Sequence, residues 1–326
     1  MSNFELIQSA SDRLAPVVRE TPLLTSPFLD KIAERRVLIK AECLQHTGSF
    51  KFRGGWSAIS ALSPQKREKG VIAFSSGNHA QGVAYAAREY GCPATLVIPS
   101  DAPELKIANT RDLGATVVLY DRDGENREGI GKKLAEEQGL TLIRPYDDPQ
   151  VIAGQGTAGL EIAKQAEKAG IKTADVLVCC GGGGLTSGIA LALEKTAPGL
   201  RARPVEPEGF DDGTRSLASG DVETNTRHGG SLCDAIVTPS PGVLTFPVMQ
   251  RLCGPGIVVT EDEALRAMAL AWQRLKIVLE PGGAVALAAA LFHGDSIDGP
   301  SVIAVTTGGN VDQLVFARAM ATLATQ

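Results

Sequence analysis

The chain has 326 residues, 44% hydrophobic and 21% charged, with a formal charge of −5. That length exceeds one small core and suits two domains, or a large and a small lobe. Only 5% of the side chains are aromatic and no basic cluster is present, which argues against a surface for nucleic acid or anionic membrane.

In chain order, the N-terminus MSNFELIQSASDRL carries an early acidic residue and lacks the apolar stretch of a secretory signal. β-Branched runs then alternate with helical periodicity. Strands are predicted at Val71–Ser75, Ala94–Ile98, Thr116–Leu119 and Thr141–Arg144, separated by helices at about His79–Tyr90, Leu105–Leu113 and Asn126–Gln138. A helix is predicted around Gly156–Ala169, a strand at Val176–Cys180 and a helix at Leu185–Lys195. The stretch 202–245, rich in Gly, Pro, Asp, Ser and Thr, reads as loops around a site. A strand at Gly256–Val259, helices at Glu261–Arg274 and Ala284–Phe292, and a strand at Ser301–Thr306 complete the pattern. Such alternation implies an α/β fold of parallel sheets flanked by helices. Turn-rich segments at Ser63–Gly70 and Tyr146–Pro149 suggest a small domain, 70–146, inserted into a large one made of 1–69 and 147–326. The longest apolar run, Ala284–Phe292, falls far short of the roughly 20 residues that span a bilayer. The six cysteines lack metal-ligand spacing and read as buried free thiols, so a reducing cytoplasm is expected.

Four segments carry candidate chemistry. In TGSFKFRGG, Lys51 lies between Phe50 and Phe52 in a Gly/Ser-rich turn. Apolar neighbours disfavour the ammonium form, and a neutral amine forms a Schiff base with an aldehyde. The same residues also suit a lysine that snorkels from a buried loop. In SSGNHAQ, Ser75, Ser76, Asn78 and His79 stand between a strand and a helix, where amides and hydroxyls bind an anion or simply cap the helix. Gly181, Gly182, Gly183 and Gly184, followed by Leu185, come directly after VLVCC, and four glycines let backbone amides wrap a phosphate. Neither a Walker A signature nor G-x-G-x-x-G is present, so a phosphomonoester fits better than a dinucleotide. TTGGN, with Thr307, again follows a strand.

These motifs in this order, with VIAGQGTAGLEI at 151–162 and EPGGA near 280, resemble the fold-type II pyridoxal-phosphate (PLP) enzymes. The similarity is greatest to the serine/threonine dehydratase and serine racemase branch, which includes 3-hydroxyaspartate dehydratases. It extends from about residue 5 to residue 320. The resemblance implies the two-domain, tryptophan synthase β-like fold. It implies that Lys51 binds the cofactor aldehyde, Phe50 packs beside the ring, Asn78 meets the ring hydroxyl, and Gly181 to Leu185 hold the phosphate. Thr307 would face the pyridine nitrogen, Ser75, Ser76 and His79 would grip the substrate carboxylate, and Ser76 would act as the second-face acid/base of racemases. Glu206, Asp212 and the Phe210 carbonyl resemble a site for Mg²⁺ (or Ca²⁺/Mn²⁺), for which oxygen ligands are suited. A homodimer is the family's usual assembly.

The expected activity is β-elimination from a 3-hydroxy amino acid, threonine or serine by default, with 3-hydroxyaspartate and serine racemisation as alternatives. Two departures bear on the substrate: Asp234-Ala235 where racemases have Asp-Gly, and Tyr146 where some relatives have asparagine. A β-carboxylate would need a cation, and Arg122, Arg127, Arg144 and Arg215 are all candidates. On the residues alone, a phosphate-binding α/β protein without catalysis accounts for GGGGL but not for Lys51. An NAD oxidoreductase would need a ribose-binding acid, for which Glu206 is suitably spaced.

Overall fold

A strand buried on both faces reads as a nearly continuous apolar run, and three runs here, VIAF, ADVLVC and SVIAVT, are buried at every position, with Asp175, Ser301 and Thr306 as their polar members. A computed structural model describes residues 2–75, 77–100, 102, 104–121, 124–227 and 229–324, apart from the side chains of Leu105 and Lys106. Among these residues the strands are β1 (Leu23–Thr25), β2 (Arg36–Ala41), β3 (Val71–Phe74), β4 (Ala94–Pro99), β5 (Thr116–Tyr120), β6 (Thr141–Leu142), β7 (Ala174–Cys179), β8 (Leu200–Pro207), β9 (Ile257–Val259) and β10 (Ser301–Thr306). They form a six-stranded sheet, β1-β2-β10-β7-β8-β9, and a four-stranded sheet, β5-β4-β3-β6. Only the edge pair β1–β2 is antiparallel. The four-stranded sheet uses only residues 71–142.

The alternating pattern is borne out, with three corrections. The stretch 202–245 is less irregular than expected: β8 runs through its start and a helix occupies Asp212–Ser219. Pro204 and Pro207 obscured β8, yet it is buried from Ala202 to Pro207. The helix expected around Gly156–Ala169 begins about two turns earlier, at Pro149, where Asp148 accepts from the Gln150 and Val151 amides as its cap. TGSFKFRGG is not a turn throughout, because Lys51 opens a helix, Lys51–Ser60.

Glycine is required in that helix by a close crossing. A Cβ on Gly55 would stand 2.8 Å from the Gly82 carbonyl, and one on Gly82 would stand 2.8 Å from that of Lys51. The Lys51–Ser60 and Asn78–Glu89 helices therefore meet backbone to backbone, which sets Lys51 beside Asn78. Below the crossing, Arg53 is fully buried and bonds Glu42 through Nε and Nη2 at 2.8 Å each, and Glu161 at 2.7 and 2.9 Å. Lys40 joins Glu161 at 2.5 Å and donates to the Thr21 carbonyl. Two cations and two carboxylates thus compensate one another and lock the lysine-bearing helix to β2 and to the Pro149–Lys168 helix.

Candidate active site

In parallel α/β sheets ligands bind beyond the carboxyl ends of the strands, where loops diverge and helix N-termini point inward. Here β3, β6 and β7 all end at one cavity of about 900 Å³, lined by residues that follow both sheets.

Lys51 projects into it. Its Nζ donates to the Pro145 carbonyl at 2.7 Å and lies 5.2 Å from the centroid of the Phe50 ring. Burial lowers the amine's pKa to about 8, against the pull of the Glu280 carboxylate. Such an amine is neutral often enough near physiological pH to attack a carbonyl carbon.

The glycine loop faces Lys51. Gly183, at φ +85°, turns the chain into the Gly184–Thr196 helix, a left-handed conformation that glycine adopts without strain. The Gly182 carbonyl is turned away, accepting from Gly242 N and from the Thr245 hydroxyl at 2.6 Å. The amides opening the helix have no acceptor within it and meet the cavity at its positive end. Beside them the Gln155 amide nitrogen is buried without a hydrogen-bond partner, and the Thr186 hydroxyl is buried against the Cys180 thiol. Unpaired donors at a helix N-terminus suit a phosphate dianion, so the residues present fit a phosphorylated cofactor whose aldehyde Lys51 can hold.

Ser75, Asn78 and His79 line the cavity with Phe50, Lys51 and Gly181 to Leu185. The Ser75 hydroxyl accepts from Gly77 N at 3.2 Å. His79 is nearly sealed, with Nε2 on the Ile143 carbonyl at 3.1 Å. Burial and then the charge of Lys51 lower its pKa to about 3, so it is neutral and offers no charge to a carboxylate. Ser76 lies outside the described residues. Thr307 is buried behind the cavity wall, with its carbonyl accepting from Phe50 N at 3.1 Å and its hydroxyl against the Cys179 thiol.

Glu206 and Asp212 are buried within electrostatic reach of each other at the end of β8, and Phe210, between them in sequence, is buried as well. Glu206 accepts from Gly213 N, Thr214 N and the Thr214 hydroxyl, and Asp212 accepts from Asn225. Burial, then the charge of Asp212, raises Glu206 to about 8, and burial raises Asp212 to about 6. Asp212 Oδ2 is buried without a partner. Two dry carboxylates with a spare oxygen fit a hard cation, although no group of three or more His, Cys, Asp or Glu converges among the described residues.

Sequence reasoning assigned no definite role to three residues on the cavity wall. Glu280, within EPGGA, is buried beside Asn78. The Tyr146 ring covers Gly182 so closely that a Cβ there would run into it, and burial pushes the phenol up to about 12, so it remains a donor. Of the four arginines that the sequence left open, Arg127 is the one that lines the cavity among the described residues. It lines the cavity with its guanidinium 5.7 Å from the Phe74 ring, whereas Arg144 is exposed and Arg215 is tied to Asp211, Glu223 and Asn225. Arg122 lies outside the described residues.

Comparison with known proteins agrees with this chemistry. Residues 14–308 match the model of the family "Pyridoxal-phosphate dependent enzyme". An L-threo-3-hydroxyaspartate ammonia-lyase of Pseudomonas sp is 44% identical over 96% of both chains. The solved threonine deaminase of T.th. is also 44% identical, with a TM-score of 0.89 over 95% of this chain and 99% of its own. Serine racemase from Dictyostelium discoideum is 38% identical, with a TM-score of 0.88 over 95% of this chain and 99% of its own.

Proposed function

The chain belongs to the pyridoxal-phosphate dependent enzymes and is a carbon–nitrogen lyase of the hydroxy amino acid dehydratase type, and from that premise we propose that it converts a 3-hydroxyaspartate to oxaloacetate and ammonia. Identity does not choose the substrate, since a hydroxyaspartate lyase and a threonine deaminase are equally similar at 44%. The observation that carries the choice is Arg127. Apart from Lys51 it is the one lysine or arginine among the described residues lining the cavity, and it makes no ion pair with a described residue. An arginine there binds a β-carboxylate by paired, charge-assisted hydrogen bonds, a contact that threonine and serine have no group to make. Glu125 and Glu128 line the same rim, so the contact to a β-carboxylate depends on Arg127 itself.

When bound, the cofactor supplies the electron sink for the carbanion at Cα. Lys51 supplies the tethering amine and, once released, takes the Cα proton at Nζ. The amides after Gly183, with Thr186, would hold the phosphate, and Ser75 with the first amides of the Asn78–Glu89 helix would receive the α-carboxylate. Thr307, now held against the Cys179 thiol behind the wall, would offer a pyridine nitrogen on that side a neutral hydroxyl and not a counter-charge. Loss of the Cα proton and of the β-hydroxyl as water yields an enamine, which on release tautomerises and hydrolyses to the 2-oxo acid and ammonia.

Residues 70–146 form the small domain in this reading, and a divalent cation, Mg²⁺ foremost, sits between Glu206, Asp212 and the Phe210 carbonyl. The protein works as a cytoplasmic homodimer. Exposed Phe28, Trp272 and Leu314 support a covered face, and no helix among the described residues is long and apolar enough to cross a membrane.

The test is 2-oxo acid release from threonine, serine and 3-hydroxyaspartate, with wild type and Arg127→Gln. The expectation is a kcat/KM highest for 3-hydroxyaspartate, which Arg127→Gln lowers about 10- to 100-fold, the worth of a charge-assisted contact, while serine turnover changes little. A wild-type preference for threonine or serine would make threonine dehydratase the correct reading.

A further inference from the structure

The Asn78 side chain is held from both ends. Its Nδ2 donates to Glu280 Oε1 at 2.6 Å, and its Oδ1 accepts from Asn310 Nδ2 at 2.7 Å. Asn310 Nδ2 is itself fixed by the Thr47 carbonyl at 2.8 Å. A flipped Asn78 amide would set oxygen against the Glu280 carboxylate and nitrogen against the Asn310 nitrogen, two repulsive contacts at once. The second N–H of Asn78 is thereby kept as a donor toward the cavity that Asn78 lines.

Glu280 is built for this task. It stands directly before the Pro281–Phe292 helix, yet its side chain does not cap that helix. Its amide donates to the Gly308 carbonyl, and a Cβ on Gly308 would run into Oε1, so the carboxylate lies flat on the TGGN loop and faces the cavity. It is also the charge acting on the Lys51 amine. The other titratable groups on the inner walls are uncharged at neutral pH: His79, the Cys179 and Cys180 thiols raised by burial, and the Tyr146 phenol. Glu125, Arg127 and Glu128 line the cavity from the small sheet's side, and Asp234 lines it from the 229–239 loop.

We propose that Glu280 is a positioning residue of the reaction, which fixes the Asn78 amide as a donor toward the cofactor ring and keeps a negative charge beside the Lys51 nitrogen. By the covalent structure of the cofactor, its ring oxygen is adjacent to the carbon that Lys51 holds. A donor beside Lys51 stabilises that oxygen as an anion. The carboxylate favours a proton on the linking nitrogen, the form a substrate amine attacks. The inference rests on Lys51 as the cofactor-bearing lysine.

Glu280→Gln separates the two effects, because the glutamine oxygen still accepts from Asn78 while the charge is gone. The visible band of the holoenzyme, titrated with pH, is expected to lose its protonated form at a midpoint about 1 unit or more below wild type, with cofactor retained. Glu280→Leu removes both effects, and is expected to shift the midpoint equally and weaken cofactor affinity about tenfold. An unchanged midpoint in folded Glu280→Gln overturns the proposal, as does undiminished cofactor affinity in folded Glu280→Leu. Should Glu280→Gln not fold, Glu280→Asp keeps the charge on a shorter arm: the expected result is an unaltered midpoint with weaker cofactor retention, and the reverse pattern overturns the proposal. A visible band that survives in Lys51→Ala and still yields to borohydride would instead remove the Lys51 assignment itself.

Discussion

Lys51 Nζ donates to the Pro145 carbonyl at 2.7 Å, which ties the helix carrying the amine to the segment leaving the smaller sheet. This bond and the apolar burial around it make the lysine a poised nucleophile rather than a surface cation. With its pKa lowered to about 8, the ammonium predominates below that value and cannot attack an aldehyde; above it the amine is free. The rate at which the apoprotein captures PLP should therefore rise with pH and level off above about pH 8, measured by stopped-flow absorbance. A rate still rising steeply toward the ordinary lysine value of 10.5 would contradict a desolvated Lys51.

The Tyr146 ring and Gly182 share a surface with no room for another carbon. Gly182→Ala must displace the ring or the loop, and overpacking of this kind costs about 1–3 kcal/mol. Cofactor affinity, read by equilibrium dialysis, should fall about tenfold or more, and Tyr146→Ala in the same chain should restore part of it. Unaltered affinity in Gly182→Ala would show that the loop does not hold the phosphate.

Much of this site was legible in the chain. Lys51 and GGGGL were visible because each breaks a local rule, a lysine between phenylalanines and a run of four glycines, whereas Asn78 was visible through its place in SSGNHAQ between a strand and a helix. Glu280, Arg127 and Tyr146 break none. A glutamate before a helix and an arginine in a helical first turn are ordinary, and only the convergence of two sheets shows what they face. The β8 strand was hidden because its two prolines argue against a strand while its burial comes from neighbours distant in sequence. The role of Arg53 was equally invisible, since its partners Glu42 and Glu161 flank it from opposite directions along the chain.

That buried cluster makes its own prediction. Arg53→Met leaves Glu42 and Glu161 with Lys40 as the remaining cation in the interior, and breaking a buried pair costs about 3–5 kcal/mol. Denaturant unfolding should report a loss of that order, with the Lys51 helix loosened and cofactor retention reduced. A loss under about 1 kcal/mol would place the cluster with exposed ion pairs of little consequence.

The buried Glu206–Asp212 pair predicts a response to cations. Two carboxylates that burial drives upward, one with an unpartnered oxygen, gain from a divalent ion that binds only the folded chain. At a roughly hundredfold excess of Mg²⁺ over its Kd, linkage adds about 2.7 kcal/mol. Thermal unfolding in EDTA against Mg²⁺ or Ca²⁺ should show that gain in wild type and lose it in Asp212→Asn. An equal gain in both proteins would place the ion elsewhere.

The central claim is that one lysine, Lys51, carries the cofactor. The direct measurement is borohydride reduction of the purified holoenzyme followed by peptide mass mapping. The account predicts a visible band abolished by borohydride, with the reduced pyridoxyl-phosphate adduct on the peptide containing Lys51 and no such adduct in Lys51→Ala. An adduct on another lysine, or a protein that PLP cannot colour, would contradict it.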